Sequence, residues 1–154
     1  ETLDGAVAAC EACVAAVLGV AYDETLRVAR ALKASGVRVG IISNHIVSPP
    51  WFQACASSAG LYELASDPRL VVVSQEVGTS KPEPAIYELF LDRLRALEPG
   101  TRPEELVFVD DKEKNVAAAR AQGWRGLCFN ATKAAAGDLE RALAALGLRG
   151  SVSL

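Results

Sequence analysis

The amino-acid sequence predicts an α/β domain built on a parallel sheet, and three observations lead there. Short β-branched runs alternate with amphipathic segments of helical length. The runs end at Gly, Asn, Asp or Ser, and strands separated by helices imply parallel pairing through right-handed crossovers. With 154 residues and a hydrophobic fraction of 51%, the chain has material for one core of ordinary size.

Taken in order, the elements begin with an Ala-rich helix over residues 4–18. A second helix, near 23–35, sets Leu26, Ala29 and Leu32 at helical spacing against a wet face of Arg27, Arg30 and Lys33, and Gly36 stops it. Residues 37–42 read as a short strand covered on both faces, ending at Ser43-Asn44. Ser48-Pro49-Pro50 opens a helix that turns Trp51, Phe52 and Cys55 inward. Strands follow at 70–73 and 106–109, with a helix over 83–97 between them whose apolar stripe is Ile86, Leu89, Phe90, Leu94 and Leu97. A helix over 112–122 ends at Gly123 and a strand near 126–129 succeeds it. Asp138 opens the last helix and Gly147 closes it.

The composition narrows the function classes. No apolar stretch is long enough to span a bilayer, and 16 Lys plus Arg against 19 Asp plus Glu leave no basic block for a nucleic-acid backbone. The expectation is a soluble intracellular protein with neither membrane nor nucleic acid as partner. Glu1 and the absence of Met point to a chain that is not a complete primary translation product. Among Cys10, Cys13, Cys55 and Cys128 the one close spacing is Cys10-Glu-Ala-Cys13, with no second pair to complete a tetrahedral metal site and His45 the one histidine, so buried structural thiols are expected.

Ligands of parallel sheets bind at the carboxyl ends of the strands, so the polar residues there carry the functional reading. Three clusters occupy such positions: Ser43-Asn44, then Gly78-Thr79-Ser80-Lys81-Pro82, then Asp110-Asp111 with Asn115 a helical turn later. A hydroxyl and an amide can hold phosphoryl oxygens, a lysine can oppose developing negative charge, and paired carboxylates can hold Mg²⁺. Singly, each has a plainer reading as a turn, a solvated loop charge or a helix cap. Their order is what points to phosphoryl transfer.

Those strings resemble the second, third and fourth motifs of the haloacid dehalogenase (HAD) superfamily. Ile41-Ile42-Ser43-Asn44 is similar to the second, GTSKPEPAIY from Gly78 to Tyr87 to the third, and VFVDDKEKN from Val107 to Asn115 to the fourth. Residues 21–130 carry the likeness, nearest to the glucose-phosphate phosphatase and epoxide hydrolase N-domain branch. The resemblance implies a Rossmannoid three-layer core and a Mg²⁺-dependent phosphatase acting on a small phosphorylated substrate. Ser43 and Asn44 would bind the phosphoryl group and Lys81 would hold the phosphoaspartyl charge. Asp111 would ligate Mg²⁺ directly, with Asp110 and Asn115 in support. His45 is not assigned a role.

One departure is large. Enzymes of that family attack phosphorus with an Asp-x-Asp motif at the end of a central first strand, and no two aspartates here are so spaced. Thr2-Leu3-Asp4-Gly5 is the nearest string, with Thr at the nucleophile position and no strand before it. Residues 1–20 are therefore expected to be a remnant of a helical cap, and residues 21–154 the core. Without the nucleophile, the isolated chain should be nearly inert as a hydrolase. The alternative is a non-catalytic subunit of a larger assembly. A receiver-like Mg²⁺ domain explains the acid pair and Lys81, but neither the motif order nor KPEPAIY. The strands before Asn44 and Asp110 should flank a gap, filled by an upstream segment or a partner chain, or closed by direct pairing.

Overall fold

The computed structural model describes residues 23–44 and 61–148. The expected cap remnant, the Thr2-Leu3-Asp4-Gly5 string, the helix after Ser48, His45 and the first three cysteines lie outside the described residues.

Helix α1 spans Asp23–Ala34. Leu26 and Val28 are buried, and Gly36, at φ +90°, ends the turn that follows. Lys33, expected in water, instead donates to the carbonyls of Glu63 (2.6 Å) and Ala65 (2.8 Å). Those are C-terminal carbonyls of α2, Leu61–Leu64, and of the residue after it, where a cation is favoured.

Strand β1 is Ile41–Ser43, shorter and later than the sequence suggested. Residues 37–40 are held without a ladder. Val39 exchanges hydrogen bonds with Ser66, its N–H donating to the Ser66 hydroxyl and its carbonyl accepting from the Ser66 N–H. Gly40 lies so close to the Phe90 ring that a Cβ there would stand 2.4 Å from it. Strand β2, Val71–Val73, pairs parallel with β1, Ile42 opposite Val72. A short helix α3, Ser74–Val77, and the loop to Pro84 lead into α4, Pro84–Leu97. Strand β3, Val107–Asp110, pairs parallel with β4, Arg125–Cys128, across α5, Glu113–Ala121. Helix α6, Asp138–Ala145, comes last. It opens at Asp138 as expected, with Gly137 as its N-cap, and the Asp138 carboxylate accepts the Ala135 N–H at 2.7 Å.

The strands alternate their faces as parallel strands covered on both sides should. Val72, Phe108 and Ile42 turn toward α4 and α5, in one cluster with Leu70, Ile86, Tyr87, Phe90, Val116 and Trp124. Val107, Val109 and Leu127 face the other way, against Val28 of α1 and Leu139 and Leu143 of α6. Val71 and Val73 pack with Ala65 on that second side of the other pair. The result is three layers, α/β/α, with one core running beneath both strand pairs.

The strands nonetheless form two separate parallel pairs among the described residues: β1 with β2 and β3 with β4. Direct pairing of β1 with β3, one of the expected ways to close the gap, is not what the chain does. The facing edges of β1 and β3 carry no described strand.

Candidate active site

Each of the three polar clusters is delivered by the carboxyl end of a strand or the loop just beyond one. β1 ends in Ser43 and leads to Asn44, β3 ends in Asp110, and the loop before α4 brings Lys81 between them.

Lys81 is the centre of the arrangement. Its Nζ donates to the Asp110 Oδ2 at 2.7 Å and to the Ile42 carbonyl at 2.8 Å, so one ammonium ties the ends of β1 and β3. The two side chains are 11% and 7% exposed. The ammonium also stands 5.6 Å from the centre of the Phe108 ring, over its face. Adjacent strands lie about 4.8 Å apart, so flanking strands with one missing neighbour stand about 9.6 Å apart. A lysine bonded to the main chain of β1 and to a side chain of β3 is long enough to bridge a gap of that order.

Asn44 grips the main chain of Lys81 from both sides. Its Nδ2 donates to the Lys81 carbonyl at 2.7 Å, and its Oδ1 accepts the Lys81 N–H at 2.8 Å. The loop beyond is tied by its own residues, Thr79 and Ser80 donating from their hydroxyls to the Glu83 carboxylate. The Thr79 hydroxyl first, then the Ser80 N–H and, least, its hydroxyl hold the Glu83 carboxyl below its ordinary range. Ser43 makes no side-chain hydrogen bond to another described residue.

The neighbouring aspartates do different work. Burial alone would push the Asp110 carboxyl up, but the Lys81 ammonium, the Lys112 N–H and the Asn115 amide together hold it below the usual range. Its Oδ1 accepts from the Lys112 N–H and from Asn115 Nδ2, both at 2.9 Å, while Oδ2 faces Lys81. Asp111 is exposed, and its carboxylate has no hydrogen-bond partner among the described residues. Mg²⁺ requires oxygen donors with free lone pairs, and Asp111 offers them where Asp110 is already committed. The donors fit, but they are few: no group of three acidic, histidine or cysteine side chains among the described residues could hold a metal ion.

Two participants were not legible beforehand. Tyr87 is fully buried in α4 and donates its hydroxyl to the Asn115 carbonyl at 2.9 Å. Burial, and then the Asp110 charge, push the phenol up to about 12, so it stays a donor at ordinary pH. The signal available was a tyrosine beside the apolar stripe, which needs a partner for its hydroxyl once buried. The Ile42 carbonyl leaves no mark in sequence. Cys128, expected to be buried, is exposed and directs its Sγ toward the Asp111 carbonyl at 3.7 Å. Local desolvation, then Glu113 and the two aspartates, push its thiol up, away from the reactive thiolate.

The chain is similar in sequence and in fold to known proteins. The family model of haloacid dehalogenase-like hydrolases matches residues 3–123. Bifunctional epoxide hydrolase 2 of Rattus norvegicus is 32% identical over 116 residues, which are 75% of this chain and 20% of that protein. Glyceraldehyde 3-phosphate phosphatase of Methanothermobacter thermautotrophicus is 32% identical over 100 residues, 64% of this chain and 40% of that protein. The chain thus spans well under half the length of these relatives. An uncharacterized protein from Corynebacterium glutamicum shares the fold at a TM-score of 0.61 and 23% identity, over 82% of each chain.

Proposed function

The chain belongs to the haloacid dehalogenase-like hydrolases, and from that premise we propose that it is the core of a Mg²⁺-dependent phosphomonoesterase whose nucleophile comes from outside the described residues. The observation that carries the reading is the Lys81 bridge: one ammonium joins the ends of two strands that do not pair with each other.

In this reading the phosphoryl group lies over the carboxyl ends of β1 and β3. The Ser43 hydroxyl and the amide edge at Asn44 bind its oxygens, while Asn44 also fixes the main chain of Lys81. Lys81 places a positive charge where negative charge develops, and its two protein acceptors hold it there without reorganisation. Asp111 would hold Mg²⁺ and Asp110 would orient Lys81, with Asn115 steadying Asp110. Bound there, Mg²⁺ would neutralise phosphoryl charge and align the substrate. The slot between β1 and β3 would receive the strand that brings the attacking carboxylate, from another segment or a partner chain. The substrate class is a small phosphate monoester, by analogy with the relative named for glyceraldehyde 3-phosphate.

The test is hydrolysis of p-nitrophenyl phosphate with Mg²⁺, by the chain alone and with a synthetic strand ending in Asp-x-Asp. Removing a covalent nucleophile typically costs on the order of a million-fold in rate, so near-background turnover is expected from the chain alone. Added peptide should raise it, and Lys81→Ala or Asp111→Ala should abolish the gain. Rapid turnover by the chain alone that survives Asp111→Ala would sink the proposal. Tight peptide binding without turnover would favour the non-catalytic subunit instead.

A further inference from the structure

We propose that Tyr87 is a positioning residue for the Lys81–Asp110 pair, acting on the carboxylate through Asn115 and on the ammonium through Phe108. This rests on the reading of that pair as part of a phosphoryl site.

Tyr87 lies near the start of α4, fully buried, and its side chain meets two neighbours that matter. Its hydroxyl donates to the main-chain carbonyl of Asn115, across 28 residues of sequence. Its ring stands edge-on to Phe108, with centroids 5.4 Å apart and planes at 83°. Asn115 aims the carboxylate of Asp110, and Phe108 lies beneath the ammonium of Lys81. One side chain therefore supports both halves of the ion pair.

The state of Asn115 makes that support necessary. The residue is 3% exposed, its Nδ2 donates to Asp110, and its Oδ1 is buried without a partner among the described residues. An amide with a vacant acceptor is not locked by its own hydrogen bonds, so the placement of its main chain sets where Nδ2 points. The Tyr87 hydroxyl is a side-chain bond made to that main chain from a different helix. Removing it leaves the first turn of α5 free to drift, and the Asp110 carboxylate turns with it. A chain of bonds then runs from the core to the surface: Tyr87 to Asn115, Asn115 to Asp110, Asp110 to Lys81, Lys81 to Ile42.

Tyr87→Phe separates the two arms, since it keeps the ring against Phe108 and removes the donor. The experiment follows the Lys81 ammonium of the ¹⁵N-labelled chain by ¹H–¹⁵N NMR at low temperature, a signal visible while the ammonium is held from exchange. A sharp Lys81 signal is expected in the wild type. In Tyr87→Phe its exchange should quicken about five- to tenfold, the effect of one lost hydrogen bond. Asn115→Ala cuts the chain one link later and should give the same loss, which keeps the test alive if Tyr87→Phe does not fold. Leu143→Ala is the control, because Leu143 is buried against the opposite face of the sheet, in a cluster that holds neither Tyr87, Phe108 nor Asn115. It should lower the unfolding temperature while leaving the Lys81 signal sharp. An unchanged signal in Tyr87→Phe or Asn115→Ala overturns the proposal, as does an equal loss in Leu143→Ala. Inorganic phosphate added to the wild type tests the underlying reading separately: a shifted Lys81 signal supports a phosphoryl site. A signal unmoved by phosphate overturns that reading, whatever Tyr87→Phe does to the free protein.

Discussion

Replacing Lys81 with Met removes the ammonium that joins the two strand pairs and leaves Asp110 Oδ2 without its partner, in a side chain 7% exposed. Breaking a fully buried ion pair from one side costs about 3–5 kcal/mol, because the surviving charge is stranded. Here Oδ1 keeps the Lys112 N–H and the Asn115 amide, and the pair is not wholly sealed from solvent. The expected cost is therefore lower, about 2–3 kcal/mol. In a domain of this size that lowers the unfolding temperature by about 5–10 °C. Asp110→Asn keeps one acceptor oxygen, but its NH2 replaces the other and faces a donor, and the charge is lost, so it should cost about 1–3 kcal/mol. The double variant, with no stranded charge, should be more stable than the sum predicts by about 1–2 kcal/mol. Urea denaturation followed by circular dichroism at neutral pH measures all three variants. Additivity within about 0.3 kcal/mol would show that the two groups are not coupled, and the bridge would lose its claim to hold β1 and β3.

Other outcomes follow from the same geometry. The Asp110 carboxyl sits below its unfolded value, so its contribution is complete above the unfolded pKa, near about pH 4, and is lost as pH falls through the folded value. Denaturation midpoints between neutral and strongly acidic pH should fall more steeply in the wild type than in Asp110→Asn, and equal slopes would refute the assignment. Gly40→Ala drives a methyl into the Phe90 ring, 2.4 Å away, and should destabilise by about 1–3 kcal/mol, with partial relief in Gly40→Ala/Phe90→Leu. A double variant no more stable than Gly40→Ala would place the strain elsewhere. Calorimetric titration with Mg²⁺ should give an affinity in the millimolar range or weaker, since Asp111 is a lone free carboxylate, on the order expected of a site short of ligands. Tight binding abolished by Asp111→Ala would contradict it.

The sequence made the layers and the strand ends legible because both rest on local chemistry. Apolar periodicity marked α4 as far as Ile86, Phe90 and Leu94, and all three are buried. It passed over Tyr87 and Leu91, which are equally buried, since a stripe drawn at fixed spacing is narrower than the face a helix buries between two strands. Strand propensity overran at residues 37–40. The run from Val37 to Ile42 is mostly apolar, but a strand needs a neighbour, and at Val39 Ser66 supplies the bonds instead. Lys33 was misread for a related reason: a charge on a helix face looks solvated until a tertiary neighbour presents unpaired carbonyls. The convergence of Lys81 with Asp110 was legible from their shared place after strands. Which carboxylate Lys81 would choose was not, because adjacent aspartates are indistinguishable until the backbone turns them apart.

That last distinction explains how the site divides its labour. Successive residues at the end of a strand point to opposite sides, so Asp110 and Asp111 cannot share one environment. Asp110 turns inward, where Lys112, Asn115 and Lys81 engage both its oxygens, and a carboxylate so bonded is rigid and has less capacity left for a metal. Asp111 turns outward and keeps its lone pairs free. An acid pair that looks redundant in sequence thus yields one fixed anchor and one carboxylate left open. The anchor in turn fixes Lys81, whose second bond reaches the Ile42 carbonyl one residue before Ser43. Because the anchor's aim depends on Asn115 and on the Tyr87 hydroxyl beneath it, a core residue that touches no phosphoryl group sets the geometry of those that would.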